Sequence, residues 1–409
     1  MKNKMVRGKG LGLILAVALA ALLLVAACAP ASSVVGKKVV EIGTINSLTG
    51  AGSRADQLYL AGQLDYIRYF DDQEMIPGGT LEVVWRDSAR SVQRWISAYE
   101  AFKARGIPVL MSTETVGLEA YHDKLEQDKM PLVTDNSAQE IVYPPRWYYF
   151  TCSTWAEQFT VVADYIMENW QEGRPPRLAF MATDSSFGRQ IEVTGTKYAQ
   201  GSGFEMLPME IVDYVPIDTT TQLLRLRERG ADFVYVSGIV VTAAPILRDA
   251  ERLGLLDKIH FSGNKISAGK GLIEMAGVAS EGYLFPRTCP SILETELPGI
   301  KLIWDVQTKY HGEVVAEEEY TGGWVATAVT CEAVRRAEEN VGYENLSGSA
   351  IKEALDSIEG FDVDGLVSIT YNPPADHGGC RKVAAYQIRG GEIVRVSDWQ
   401  AAPMLVPEG

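Results

Sequence analysis

Short apolar runs alternate with longer stretches of helical period along almost the whole chain, and this alternation limits the fold more than any other feature. Strand-like runs fall at Val39–Ile45, Leu81–Trp85, Ile107–Met111, Pro131–Val133, Arg177–Ala182, Phe204–Val212, Phe233–Val236 and Lys258–Phe261. Between them lie helical patterns, clearest in Trp155, Phe159, Val162, Ile166 and Trp170, which share one helix face. Alternating β and α units with short buried strands predict parallel sheets covered by helices on both faces, an α/β fold.

The alternation breaks at Trp147–Cys152, at Gly282–Pro286 and at Phe361–Thr370. A complete βα set precedes the first break and another separates the first two. Three isolated connections between two such sets predict two Rossmann-like lobes joined by a three-strand hinge. The expected division is lobe 1 from 39–149 with 290–360, and lobe 2 from 150–289 with 361–409. Ligands of open α/β sheets sit outside the carboxyl ends of the strands, so facing lobes enclose a cleft.

The head of the chain is of another kind. Lys2, Lys4, Arg7 and Lys9 precede an uncharged Leu/Ala-rich run from Leu11 to Ala27, followed by Cys28. This is the pattern of an export signal over 1–27. Leu24-Val25-Ala26-Ala27-Cys28 resembles a bacterial lipobox, which implies cleavage before Cys28 and lipid on its thiol. Residues 28–38 then read as a tether. The leader carries four of the 38 basic residues and none of the 53 acidic ones, so the remainder has a formal charge of −19. Such acidity excludes nucleic acid as a partner. Beyond Cys28 there are Cys152, Cys289, Cys331 and Cys380. An oxidising compartment allows up to two disulfides among them, in any of three pairings. None of their spacings suits a metal, and no cofactor is expected.

Several segments, taken in order, are similar to one family. Val40–Gly50 (VEIGTINSLTG) resembles a first strand and its P-L-[ST]-G turn. Ile76-Pro77-Gly78-Gly79 with Leu81–Val84 and Asp87 resembles a G-I-x-G turn, second strand and Asp. Ala182–Gly188 (ATDSSFG) resembles D-x-x-Y-G, with Phe187 in place of Tyr. Ala231–Val234 resembles P-D-x-V, and Ala279–Gly282 resembles x-x-E-G. The chain thus resembles the periplasmic binding proteins of the branched-chain amino acid type, the substrate-capturing components of ABC importers.

Gly50-Ala51-Gly52-Ser53-Arg54-Ala55 has G-x-G-x-x-A spacing, but four residues separate it from the strand and no acid follows at dinucleotide distance. Its amides at a helix start are expected to line the cleft instead, with Thr49. The resemblance implies further ligand contacts. Thr115, with Glu114 beside it, falls where the family's hydroxyls take a carboxylate. Asn136 and Ser137 follow the fourth strand. Ser186 and Phe187, then Gly238 and Ile239, supply the second lobe, and Trp155 opens the helix after the hinge. Tyr320 and Trp324 are read as core. Lys265 stands where amino-acid-binding members place an acid for the ligand's ammonium group. It favours a carboxylate, aromatic or branched, and Glu114 is a possible partner for it across the cleft.

The implied function is a solute-binding protein of an ABC importer that captures an amino acid-like solute or a carboxylate. It would be lipid-anchored at the membrane, monomeric, and partnered by a permease. A ligand-sensing receptor uses the same lobes and remains an alternative. An exported hydrolase is disfavoured, since neither G-x-S-x-G nor H-E-x-x-H occurs and the four histidines are far apart.

Overall fold

The first strand, β1 (Lys38–Asn46), runs into a turn made by Gly50 (φ 94°) and Gly52 (φ 77°) and then into α1 (Ser53–Asp72). The left-handed backbone there suits glycine. A Cβ on Gly52 would also lie 2.5 Å from the Ile239 Cδ1 atom, so this glycine lets a distant segment approach. The computed structural model describes residues 37–136, 142–314 and 317–406. Residues Val39–Gly409 form one compact unit.

The first lobe continues with β2 (Gly79–Asp87), α2 (Val92–Arg105), β3 (Leu110–Ser112), α3 (Thr115–Asp128), β4 (Leu132–Thr134) and β5 (Tyr148–Phe150). Its sheet has the order β2-β1-β3-β4-β5. Pairing is parallel from β1 through β3 and β4 to β5. The second lobe holds α4 (Trp155–Asn169), β6 (Arg177–Thr183), α5 (Ser186–Arg189), α6 (Glu192–Gly201), β7 (Glu205–Met206), β8 (Glu210–Val212), α7 (Thr220–Glu228), β9 (Phe233–Ser237), α8 (Val240–Arg252), β10 (His260–Gly263), α9 (Lys270–Ala276) and β11 (Leu284–Arg287). The chain then returns to the first lobe as α10 (Pro298–His311), α11 (Glu318–Val341), α12 (Gly348–Asp356), β12 (Phe361–Val363) and β13 (Val367–Ile369). It ends on the second sheet with β14 (Lys382–Arg389), β15 (Glu392–Arg395) and β16 (Gln400–Ala401).

Each sheet is covered on both faces. In the first lobe one core joins Tyr66, Phe70, Trp324 and Ile351, and another joins Trp95, Tyr99, Phe102 and Tyr148. Full burial of one such aromatic contributes about 1.5–3 kcal/mol. The long helices α1 and α11 approach through glycine. A Cβ on Gly62 would meet the Tyr320 carbonyl oxygen at 2.1 Å, and one on Gly323 the Tyr59 carbonyl oxygen at 2.0 Å. Tyr320 and Trp324 are fully buried core residues, as their helical spacing implies.

The hinge differs in detail from the sequence expectation. The β5 and β11 strands belong to the two sheets, and the chain crosses just after each of them. The third expected strand, 361–370, is the β12–β13 hairpin. Its Val363, Val367 and Ile369, with Tyr371 and Cys380, join the first lobe's core, so lobe 2 does not begin at 361. The third crossing is the segment 371–381. It is tied to the first by the Cys152–Cys380 backbone bridge, and Phe150 N donates to the His377 carbonyl oxygen at 2.9 Å. Below the first crossing, Thr154 and Glu157 form a reciprocal cap on α4. The fully buried Glu157 carboxylate also takes Arg381 at 2.8 Å.

No disulfide joins any of the four described cysteines. The Cys152 thiol donates to the Asp135 carbonyl oxygen at 3.1 Å, and Cys331, on α11, is fully buried in the first lobe's core. Cys28 lies outside the described residues. Among the described residues no helix is long and apolar enough to cross a membrane, and no His/Cys/Asp/Glu group is arranged for a metal ion.

Candidate functional site

One cavity of about 520 Å³ opens between the lobes. Its floor is built by segments that leave the carboxyl ends of strands: residues 52–56 after β1, 113–115 after β3 and 135–136 after β4. Facing them are Ser185 and Phe187 after β6, Tyr214 after β8, Ile239–Val241 after β9, and Lys265 with Ile266 after β10. Short strands that end together bring these turns together, because a parallel sheet points every carboxyl end the same way.

Trp155 begins α4 and is buried. Its ring meets Phe187 edge-to-face at 5.5 Å, and its indole N–H donates to the Asn136 Oδ1 atom at 3.1 Å. Asn136 turns its amide nitrogen to the Thr113 carbonyl oxygen and to Thr115 Oγ1 at 2.8 Å. Trp155, Asn136 and Thr115 thus form one chain of hydrogen bonds from the second lobe to the first. The Lys265 ammonium lies 3.1 Å from the Asp135 carboxylate and 5.6 Å from the Trp155 ring centroid. Burial, the largest single influence, would lower its pKa; the Asp135 charge and hydrogen bond, together with the Cys152 and Cys289 sulfurs, outweigh it and raise the pKa.

The acids behave differently. Asp56, on the first turn of α1, accepts from the Thr113 hydroxyl at 2.5 Å and lies 3.7 Å from Arg90. Burial pushes its carboxyl up to about 6, against the pull of Thr113 and Arg90. Glu114, the residue that opens α3, accepts from the Ser88 hydroxyl. Burial, with Asp56 adding to it, pushes Glu114 up to about 7. Glu319, at the start of α11, is also pushed to about 7 by burial and by neighbouring Glu318. The Tyr214 hydroxyl is buried with no hydrogen-bond partner among the described residues, and the Arg90 guanidinium lies over its ring at 4.9 Å.

Of the residues singled out from sequence, Glu114, Thr115, Asn136, Trp155, Phe187, Ile239 and Lys265 line this cavity. Three others do not. Thr49 is exposed and donates to Asp87 at 2.7 Å, one turn short of the cavity, where Gly52–Asp56 stand instead. Ser186 faces solvent because Ser185 caps the short helix α5 and takes the inward position. Gly238 is buried beneath the wall, where a Cβ would meet Thr242 at 2.8 Å, and Ile239–Val241 form the surface. Ser137 lies outside the described residues. Lys265 meets Asp135, not Glu114, so it is not a free cation awaiting a carboxylate. The lining carries the acids Asp56, Glu114, Asp135 and Glu319 beside the cations Arg54, Arg90 and Lys265.

Sequence reasoning missed Asp56, Arg90, Tyr214 and Glu319. Asp56 and Glu319 look like ordinary acids favouring a helix N-terminus. Arg90 is aimed by a left-handed backbone at Ala89 (φ 48°) and Arg90 (φ 59°), which nothing in the residue types announces.

A family model described as periplasmic binding protein matches residues 39–392. No curated protein matches the chain. Among solved structures, a branched chain amino acid ABC transporter protein from Thermus thermophilus with bound valine superposes with a TM-score of 0.81 at 25% identity, covering 90% of this chain and 97% of that one. A fatty acid ABC transporter substrate-binding protein from Thermomonospora curvata gives 0.79 at 19% identity, with 90% and 95% covered. A solute binding protein of an ABC transporter from Rhodopseudomonas palustris in complex with 3,4-dihydroxybenzoic acid gives 0.74 at 17% identity, with 90% and 98% covered.

Proposed function

This chain belongs to the periplasmic binding protein family, and from that premise we propose that it captures a small organic solute outside the cytoplasm and delivers it to the permease of an ABC importer. The observation that carries this reading is the cavity of about 520 Å³ walled by both lobes. That volume falls within the roughly 300–1,000 Å³ typical of small-molecule clefts.

A solute that touches both walls binds the closed arrangement better than the open one, and that difference is what closes the hinge. Trp155, Phe187 and Ile239 offer it apolar surface from one side, and the Glu114-Thr115 turn offers polar groups from the other. Asn136 acts through its bonds to Thr115 and Trp155. Lys265 and Asp135 clasp the lobes at one end of the cavity. No covalent step is needed, and the solute leaves unchanged. Lipid on Cys28 would hold the protein, as a monomer, at the membrane near its permease.

A thermal-shift screen of small metabolites tests the solute reading. A solute at one hundred times its Kd adds about 2.7 kcal/mol to stability. Mass spectrometry of any solute found, after incubation with stoichiometric protein, should show it intact; protein-dependent conversion would point to an enzyme. Cell fractionation of Cys28→Ser tests the anchor, and a variant as fully membrane-bound as the parent would refute it.

A further inference from the structure

The charges of the cavity wall identify a feature of the solute, and this step rests on the solute-binding reading above. Among the described residues seven charged side chains line the cavity. All three cations are matched within the protein. Lys265 has Asp135 at 3.1 Å, and Arg54 has Glu317 together with Glu274 at 3.6 Å. Arg90 has Asp56 at 3.7 Å. Two carboxylates are left over. Among the described residues Glu114 has only the neutral Ser88 hydroxyl on its side chain, and Glu319 has no ion-pair partner.

Glu114 has a second cavity-lining acid, Asp56, beside it. Asp56 and Asp87 press on it with like charge, and Arg90 relieves it. Arg90 is itself shared with Asp56 and with the Ala51 carbonyl oxygen at 3.2 Å. A buried carboxylate without a counter-charge is costly, and the ordinary response is to hold a proton. Its elevated titration near neutrality agrees with that. A second cation placed beside Glu114 would balance the pair of acids that one arginine now serves. Trp155, Phe187 and Ile239 line the same cavity and offer surface for an apolar body.

We propose that the solute carries a protonated amine on a bulky apolar body, with the amine seated against Glu114 and the body along Trp155, Phe187 and Ile239. Glu114 accepts a charge-assisted hydrogen bond from the amine. Binding then expels the proton that Glu114 holds, because the arriving cation favours the carboxylate.

Three probes sharing one body and differing in charge test this: phenylbutylamine, phenylbutyramide and phenylbutyrate, titrated calorimetrically into the protein at pH 7. The amine should bind at least about tenfold more tightly than either other probe, the size of one charge-assisted hydrogen bond. Its enthalpy should depend on the buffer's ionisation enthalpy in the sense of proton release. Glu114→Gln should abolish both the preference and the proton release, whereas Glu228→Gln, exposed at the end of α7 and outside the cavity, should retain them. Tighter binding of the amide or the carboxylate by the parent, or a preference for the amine that survives Glu114→Gln, overturns the proposal and leaves solute capture standing. Failure of all three to bind overturns the proposal too, and the wider metabolite screen then judges solute capture separately.

Discussion

Replacing Lys265 with Met should destabilise the protein and loosen its closed form together, because one ion pair serves both. The Lys265 and Asp135 charges are 3.1 Å apart, with 15% and 17% of each side chain exposed. At an effective dielectric of about 20 their attraction is about 5 kcal/mol. Desolvation of both ions offsets part of this. Removing one partner, which strands the other, should cost about 2–4 kcal/mol. The Lys265 pKa is raised on folding, so the pair's contribution is fully present below the ordinary lysine pKa and fades only as pH rises through the raised value. It should therefore be constant between pH 6 and 9. Urea unfolding of Lys265→Met, Asp135→Asn and the double variant forms the assay. The double variant should be less destabilised than the sum of the singles by about 2 kcal/mol. Small-angle scattering of Lys265→Met should show a larger radius of gyration. Additive single costs, or a cost under about 0.5 kcal/mol for Lys265→Met, would refute the reasoning.

Glu157→Ala should cost about 3–5 kcal/mol in urea unfolding, because it strands the Arg381 guanidinium and uncaps α4; a loss no larger than that of a surface residue would contradict this. Asp56, Glu114 and Glu319 titrate higher in the folded protein than ordinary carboxyls, so the stability they contribute is greatest below about pH 4 and falls as pH rises through about 6 to 7. Between pH 5 and 8 Glu114→Gln should lose about 2–3 kcal/mol less than the parent, and parallel curves of Tm against pH would refute it. Gly323→Ala should cost about 1–3 kcal/mol by driving a methyl group into the Tyr59 carbonyl; an unchanged midpoint would show that α1 and α11 part freely.

The strand–helix alternation exposed the sheets because buried parallel strands must be short and apolar, and the helices between them must be amphipathic. Arg177–Ala182 and Phe233–Val236, read from that pattern, coincide with β6 and β9 to within a residue. The pattern misread 361–370, where a hairpin with alternating burial resembles a crossing strand until its core is known. It also passed over β14 and β15, although Gly390-Gly391, both with positive φ, turn between them as a tight hairpin requires. At the site, turns that follow strands were legible because topology places them in the cleft. The one-residue errors at Ser186 and Gly238 arose because a strand's end does not say which side chain of the next turn faces inward. Lys265 lines the cavity, but it meets Asp135 and not Glu114. Asp135 and Lys265 are 130 positions apart, and only the folded chain shows that they meet.

Thermal denaturation of the parent and of a cavity-filled Ala55→Trp variant, across a panel of small solutes, tests solute capture most directly, since Ala55 lines the cavity. At least one solute should raise the parent's Tm in a concentration-dependent way and leave that of Ala55→Trp unmoved. Absence of any such solute, or an equal rise in both proteins, would contradict binding in this cavity.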